Sequence, residues 1–338
     1  MTRREFLRVT MAASVTPVLP AGVATAAAGG AATTTLPRRR LGRTGAEVSL
    51  IGLGGFHIGK QEDARERVRI IRAAIDGGVT FLDNCWDYNG GESEVRMGKA
   101  LRDGYRSRVF LMSKIDGRDR ATAATQIDES LRRLQTDHLD LLQLHEVIYP
   151  EDPDRAFAKG GAIEALEAAR KAGKVRFIGF TGHKSPGIHL AMLRAADRHG
   201  FAFDTVQLPL NVLDAHHDSF EKEVVPVAVA KGMGVLGMKP MGDGFILQSK
   251  AASAVECLRY AMSVPGASVT ITGIDSLQVL DQDLRLARGF QPLSDPERSA
   301  LLARTAPAAR GGRWERYKTA REFDGTFHNP AWLGPESL

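Results

Sequence analysis

Arg108-Val109-Phe110-Leu111-Met112-Ser113, the helical pattern Thr122–Leu134, and Leu139-Asp140-Leu141-Leu142-Gln143-Leu144 form the stretch whose reading decides the fold. Two short runs rich in Val, Leu and Phe read as strands buried on both faces, which is how parallel strands read. Between them lies a pattern with its apolar residues on one helical stripe. Strand, helix, strand in that order is a crossover unit.

The same rhythm extends in both directions. Further strand candidates are Val48–Leu53, Val79–Asp83, Val175–Phe180, Thr205–Leu208, Val235–Met238 and Val269–Thr272. Helical patterns run over Ala64–Asp76, before Gly77-Gly78, and over Gly161–Ala172, before Gly173; glycine after the last turn is the expected stop. Eight such units predict an α/β fold, a (β/α)₈ TIM barrel. The rival is a doubly wound dinucleotide fold, which needs Gly-x-Gly-x-x-Gly after its first strand. Gly52-Leu53-Gly54-Gly55 lacks the third glycine, so the barrel is preferred.

Composition agrees with a folded enzyme-sized chain. Its 338 residues are 43% hydrophobic and 25% charged, which excludes disorder and low-complexity structure. Lys+Arg 45 against Asp+Glu 40 gives a net +5 with no long basic run past the first few dozen residues, so no nucleic-acid surface is expected. Cys85 and Cys257 are the two cysteines, too few for a disulfide scaffold or an all-cysteine metal site. His216-His217-Asp218 reads as loop and cap chemistry, and no metal is expected.

Residues 1–26 read as a signal segment. Arg3-Arg4 precede Phe6-Leu7, a weakly apolar stretch follows, and Ala24-Thr25-Ala26 closes it. Pro17 and Pro20 interrupt the apolar run, so a stable membrane span is not expected. The paired arginines resemble a twin-arginine export signal, which implies the export machinery as a partner and a periplasmic or other extracytoplasmic destination. Without that reading a cytoplasmic location is expected. The barrel is assigned to 37–306 and a C-terminal tail to 307–338. Trp314, Tyr317, Phe323, Phe327 and Trp332 put five aromatics in Gly311–Leu338, against 7% over the whole chain, so the tail is expected to pack on the barrel.

Chemistry in such a barrel sits at the carboxyl ends of the strands. Reading those ends gives Asp83 after the second strand, with Tyr88 in the loop beyond, Lys114 after the third and His145 after the fourth. Phe56, His57 and Trp86 follow the first and second strands and are expected to line a substrate mouth.

The segment Phe81-Leu82-Asp83-Asn84-Cys85-Trp86-Asp87-Tyr88-Asn89-Gly90-Gly91-Glu92-Ser93-Glu94 resembles the active-site signature of the aldo-keto reductases. So do Leu41-Gly42-Arg43-Thr44-Gly45, Ser113-Lys114 and Leu142-Gln143-Leu144-His145, and the similarity runs from about Leu41 to Leu284. The resemblance implies a nicotinamide-dependent oxidoreductase that interconverts a carbonyl and an alcohol. Tyr88 would be its general acid or base, with Lys114, Asp83 and His145 assisting. Free tyrosine titrates near pH 10, and Lys114 is expected to lower that value.

The resemblance also implies a cofactor side. Thr181-Gly182-His183 after the fifth strand and Gln207 on the sixth would hold the nicotinamide amide, with Met238 beneath the ring. Lys239, Gly273 and Ser276 would meet the phosphates, and Asp283 stands where adenine is bound. Asp275 would repel a 2′-phosphate, so both NADP and NAD stay open. In the family a C-terminal loop shapes substrate choice, which places this tail over the mouth; the aromatics beside His328 suit a sugar. Two further functional readings follow. One is an exported enzyme whose resident NAD(P) cycles within one site on a sugar or glycoside. The other is a non-catalytic module that senses nicotinamide.

Overall fold

Period two along a parallel strand puts alternate residues on the same side, and here both sides are buried, in Phe110–Ile115 and Leu139–Leu144 at every position. The computed structural model describes residues 35–59 and 63–335. The signal segment of residues 1–26 lies outside the described residues. A short antiparallel pair comes first, β1 (Arg38–Arg40) with β2 (Glu47–Ser49). Eight parallel strands follow: β3 (Ile51–Gly54), β4 (Phe81–Asp83), β5 (Phe110–Ile115), β6 (Leu139–Leu144), β7 (Val175–Thr181), β8 (Thr205–Pro209), β9 (Gly234–Met238) and β10 (Ala267–Thr272). Each pairs with the next, and β10 pairs with β3 to close the barrel.

Inside the barrel, Phe81, Phe110, Met112, Leu141, Leu236, Val269 and Ile271 form one apolar cluster with Leu41 and Val48. Phe110 stacks between Phe81 and Phe177, at 5.5 and 6.2 Å. The next inward positions along β4, β5 and β8 are Asp83, Lys114 and Gln207. A polar layer thus stands directly above an apolar floor, at the carboxyl ends.

The first strand expected from the sequence, Val48–Leu53, is two strands. Val48 pairs with Arg39 in the hairpin, and the barrel strand begins at Ile51. Val48 and Leu41 are fully buried in the interior cluster, so the hairpin closes one end of the barrel. Gly42 sits at φ +52 with Gly234 nitrogen 2.3 Å from where a Cβ would be, so no other residue fits that turn. The remaining strands lie within two residues of expectation. The third shifts to Phe110–Ile115 because Arg106–Arg108 forms a 3₁₀ turn.

The helix over Ala64–Asp76 is capped by Asp63, whose side chain accepts from the Arg65 and Glu66 amides. The helix over Arg120–Leu134 is capped in the same way by Asp119 through Thr122. A final long helix, Asp295–Ala309, starts with a capping box between Ser294 and Glu297.

Past that helix the chain returns to residues that follow β6, β7 and β8. The Gly325 and Thr326 amides donate to Glu146 at 2.9 and 2.8 Å. Asp324 accepts from Lys184 at 2.8 Å and meets His183 Nε2 at 3.1 Å. Tyr317 Oη accepts from Asn211 at 2.8 Å and donates to Glu315 at 2.6 Å. Lys318 is buried between Asp214 and Glu315 and also donates to the carbonyls of His217 and Asp218. That is the work of the His216–Asp218 loop: its carbonyls hold a tail lysine.

Glu146 is the strongest point of this clamp. Burial works to raise its carboxyl, but His145, His183 and the two tail amides outweigh burial and hold it at about 2. A carboxyl depressed in the folded state stabilises above its ordinary value near 4.5. That stabilisation is lost as pH falls toward 2, and is on the order of 3 kcal/mol. Glu146→Gln is therefore expected to speed protease cleavage within 310–335 at least tenfold at pH 7. Its acid unfolding should also start from a lower stability than wild type, measured by circular dichroism between pH 5 and 2.

Candidate active site

Lys114 is the inward residue above Met112 on β5, and it is 1% exposed. A buried ammonium must spend its three protons on acceptors. It does so on Asp83 Oδ1 at 2.6 Å, the Asn84 carbonyl at 2.7 Å and Tyr88 Oη at 3.2 Å. Asp83 is the inward residue at the end of β4, and Asn84 follows it. Tyr88 opens the 3₁₀ turn Tyr88–Gly91, which passes through left-handed Asn89 and Gly90. The Lys114 nitrogen lies 4.6 Å from the centre of the Tyr88 ring. Because the Tyr88 oxygen accepts from Lys114, its own proton is free to point elsewhere.

The rest of the sequence motif holds this turn. Ser93 Oγ donates to the Gly55 carbonyl at 2.7 Å. Glu94 accepts from Ser113 at 2.5 Å and pairs with Arg133, which also donates to the Trp86 carbonyl. The turn after β4 is thereby tied to β3, β5 and the helix over Arg120–Leu134.

Lys114 does not lower the Tyr88 titration as expected from the sequence. Burial pushes the phenol well above its ordinary value, and the negative charges of Asp83, Cys85, Asp87 and Glu146 add to that. The lysine charge is met by Asp83 at 2.6 Å and has little left to stabilise a phenolate. Tyr88 is a protonated phenol here, suited to give a proton rather than take one.

His145 follows β6, with its ring edge-on to Tyr88 at 5.8 Å. Its Nδ1 lies 2.9 Å from Asp116 Oδ1 and 3.6 Å from Asp87 Oδ1, with the ring tautomer assigned from these neighbours. Burial pushes the imidazole down and the two carboxyls up, Asp87 to about 7 and Asp116 to about 8. With Cys85 these residues bring one nitrogen, oxygen or sulfur atom each within 4.8 Å of the others. Sequence reading found His145 and missed Asp116. Its one signal was position, two residues past Lys114 on the same strand end.

On the opposite side, Gln207 is 1% exposed. Its Nε2 makes only long contacts, to Asp83 at 3.5 Å and the Met238 sulfur at 3.6 Å, and its Oε1 has no partner. Thr181 Oγ1 reaches the same sulfur at 4.0 Å. A buried amide left unsatisfied beside an apolar sulfur and a hydroxyl fits the carboxamide edge of a nicotinamide. Ser276 caps the helix over Leu277–Arg288 by accepting from Val279, and Asp283 in that helix is bonded to Thr272 at 3.3 Å. Burial holds the Asp283 carboxyl up at about 7, so near neutral pH it is partly protonated and can donate as well as accept.

Other expected residues are engaged differently. His183 is turned to Asp324 in the tail clamp. Gly182 is glycine for packing: a Cβ would lie 2.3 Å from the Val147 carbonyl. His57 fills the space over Gly273 and pairs with Asp243 at 3.8 Å. Lys239 sits 5.4 Å over the Tyr317 ring at φ +54. Phe56 is 37% exposed and meets Tyr88 edge-on at 5.4 Å. Trp86 donates to Glu129 at 2.6 Å and packs on Trp332. With them it lines a cavity of about 420 Å³ that Asp83, Tyr88, Lys114 and His145 do not line.

Residues 50–255 match the Aldo/keto reductase family. An uncharacterized oxidoreductase of Bacillus subtilis, YrpG, is 30% identical over 226 residues, 61% of this chain and 67% of that one. The aldo-keto reductase YhdN of the same organism is 33% identical over 200 residues, 55% of this chain and 56% of its own. The matched region thus spans between about half and two thirds of these relatives. Among solved structures, the holo form of aldo-keto reductase AKR11C1 from Bacillus halodurans superposes with a TM-score of 0.68. That likeness covers 83% of this chain and 99% of that one at 22% identity, and speaks for the fold. The chain belongs to the aldo/keto reductase family, whose members are NAD(P)H-dependent oxidoreductases.

Proposed function

We propose that this protein interconverts a carbonyl and an alcohol, with Tyr88 as the proton donor in the direction of reduction. The observation that carries this reading is the three-way bonding of Lys114, which leaves the Tyr88 proton free and the phenol un-ionised. Gln207 and Thr181 would hold the nicotinamide amide over Met238, and Ser276 with Asp283 would meet the adenosine end. When bound, the reduced cofactor supplies the hydride that the carbonyl carbon accepts.

The chain's own residues handle orientation and the proton. Phe56 packs on the Tyr88 ring and gives the substrate an apolar wall. His145, edge-on to the same ring, offers its outer nitrogen to the carbonyl oxygen. Tyr88 protonates that oxygen, and Lys114 holds the Tyr88 oxygen in place at 3.2 Å. Asp83 keeps Lys114 in place, because a buried ammonium without its carboxylate would lose several kcal/mol.

Removing one hydroxyl tests this directly. Tyr88→Phe is expected to lower kcat for carbonyl reduction by about 10²–10⁴-fold, the range for loss of a positioned acid. Cofactor affinity, read by nicotinamide fluorescence, should stay within about twofold. An unchanged kcat in the folded variant contradicts the assignment.

Export is part of the proposal and is supported by Arg3-Arg4 and the Ala24–Ala28 run. Fractionation of expressing cells is expected to find the protein outside the cytoplasm. Substituting both arginines by lysine should leave it inside.

A further inference from the structure

Three neighbouring strand ends bring a thiol, an imidazole and two carboxyls to one point. Cys85 and Asp87 come from the turn after β4, Asp116 from the end of β5 and His145 from the end of β6. One sulfur, nitrogen or oxygen atom from each lies within 4.8 Å of the others. The residues are spread along the chain and meet because β4, β5 and β6 pair side by side, so the sequence raises no metal expectation here.

Each donor is held in place and under-used. Asp116 is fully buried, and its Oδ2 has no hydrogen-bond partner. Asp87 Oδ1 is likewise buried without one. The Cys85 thiol is fully buried and reaches the Lys114 carbonyl only at 3.7 Å. His145 Nδ1 lies 2.9 Å from Asp116 Oδ1 and 3.6 Å from Asp87 Oδ1. A four-coordinate zinc ion, with bonds of about 2.0–2.3 Å, spaces its donors about 3.3–3.5 Å apart. The two separations at Nδ1 bracket that spacing, so the donors close on an ion by side-chain movement.

The backbone behind the donors is fixed. The amides of Asp116 and Gly117 both donate to Gln126 Oε1 at 2.8 Å. Arg118 donates to the Asp116 carbonyl at 2.6 Å and to the carbonyls of His145 and Glu146 at 2.8 Å. It is itself anchored on Asp152 at 2.7 Å. One arginine thus ties the end of β5 to the end of β6. The tail comes close as well: a Cβ on Gly325 would stand 3.7 Å from Asp87 Oδ2.

We propose that Cys85, Asp87, Asp116 and His145 bind one zinc ion, His145 through Nδ1. A thiolate, an imidazole and two carboxylates suit zinc, whereas magnesium and calcium take oxygen donors. Four bonds to zinc form, and the thiol proton leaves for solvent with any proton on Nδ1 or the carboxyls. The double positive charge then meets two buried carboxylates that have too few partners of their own. The ion staples the ends of β4, β5 and β6. Because it occupies Nδ1, it leaves the proton of His145 on the outer nitrogen.

The full-length protein, expressed in zinc-supplemented minimal medium and purified without chelator, is expected to carry stoichiometric zinc by atomic emission. Expressed with cobalt instead, it should show the visible bands of a four-coordinate ion and a thiolate-to-cobalt charge-transfer band. Cys85→Ser, checked for folding by circular dichroism, should lose the charge-transfer band. Its zinc affinity should fall by more than the about 10–100-fold that loss of a supporting partner costs. Asp116→Asn should weaken zinc binding at least about tenfold and keep the charge-transfer band. A chelator should lower the Tm of wild type and leave that of Cys85→Ser unchanged. Wild type that carries neither zinc nor cobalt overturns the site, and this needs no variant. So does cobalt bound without the thiolate band, or zinc held at full strength by Cys85→Ser, either of which puts the ion elsewhere on the chain. Nicotinamide plays no part in these readouts, so the zinc site and the reductase reading can fail separately.

Discussion

The ammonium of Lys114 is the constraint on which the rest of the site depends. Buried in the polar layer above an apolar floor, it needs three acceptors, and they come from two elements. Asp83 and the Asn84 carbonyl lie at the end of β4, and the Tyr88 hydroxyl lies in the turn beyond. Satisfying one cation therefore fixes the tyrosine's position and the direction of its proton. The tyrosine's charge state follows from burial first, with the negative charge of Asp83 adding to it.

Around this pair the molecule arranges two supports. Arg118 ties the end of β5 to the end of β6 and sets Asp116 against His145. Glu146, the next residue, receives the tail through the Gly325 and Thr326 amides. Adjacent residues on one strand end thus face the chemistry and the clamp. On the other wall, Gln207 is left unsatisfied, the arrangement expected where a polar ligand completes the bonding.

Much of this was legible in the sequence, for a physical reason. Parallel strands buried on both faces read as short apolar runs, so the barrel followed from pattern. Once the strand ends were placed, Asp83, Lys114, His145 and Gln207 fell at one mouth. What stayed hidden depended on tertiary partners. His183 sits on the expected strand end, yet a tail carboxylate far along the chain turns it away. Trp86 lies within the motif and is drawn to Glu129 and Trp332. Val48–Leu53 is one apolar run that splits because Val48 finds an antiparallel partner in Arg39. Burial and not residue type gives Asp116 and Glu146 their chemistry, so the sequence does not mark either as a functional acid. The effect of the surroundings on Tyr88 is hidden for the same reason: the sequence shows a cation nearby, but not the burial of the phenol or the carboxylate that meets the cation at 2.6 Å.

The most direct measurement is the ¹³Cζ shift of Tyr88 in tyrosine-labelled protein, followed from pH 6 to 10.5 and assigned by Tyr88→Phe. If Lys114 is committed to Asp83, the Tyr88 signal stays at the phenol position across that whole range. A phenolate signal growing in between pH 7 and 9 would show that Lys114 activates Tyr88 as a base, and would contradict the assignment of Tyr88 as a standing proton donor.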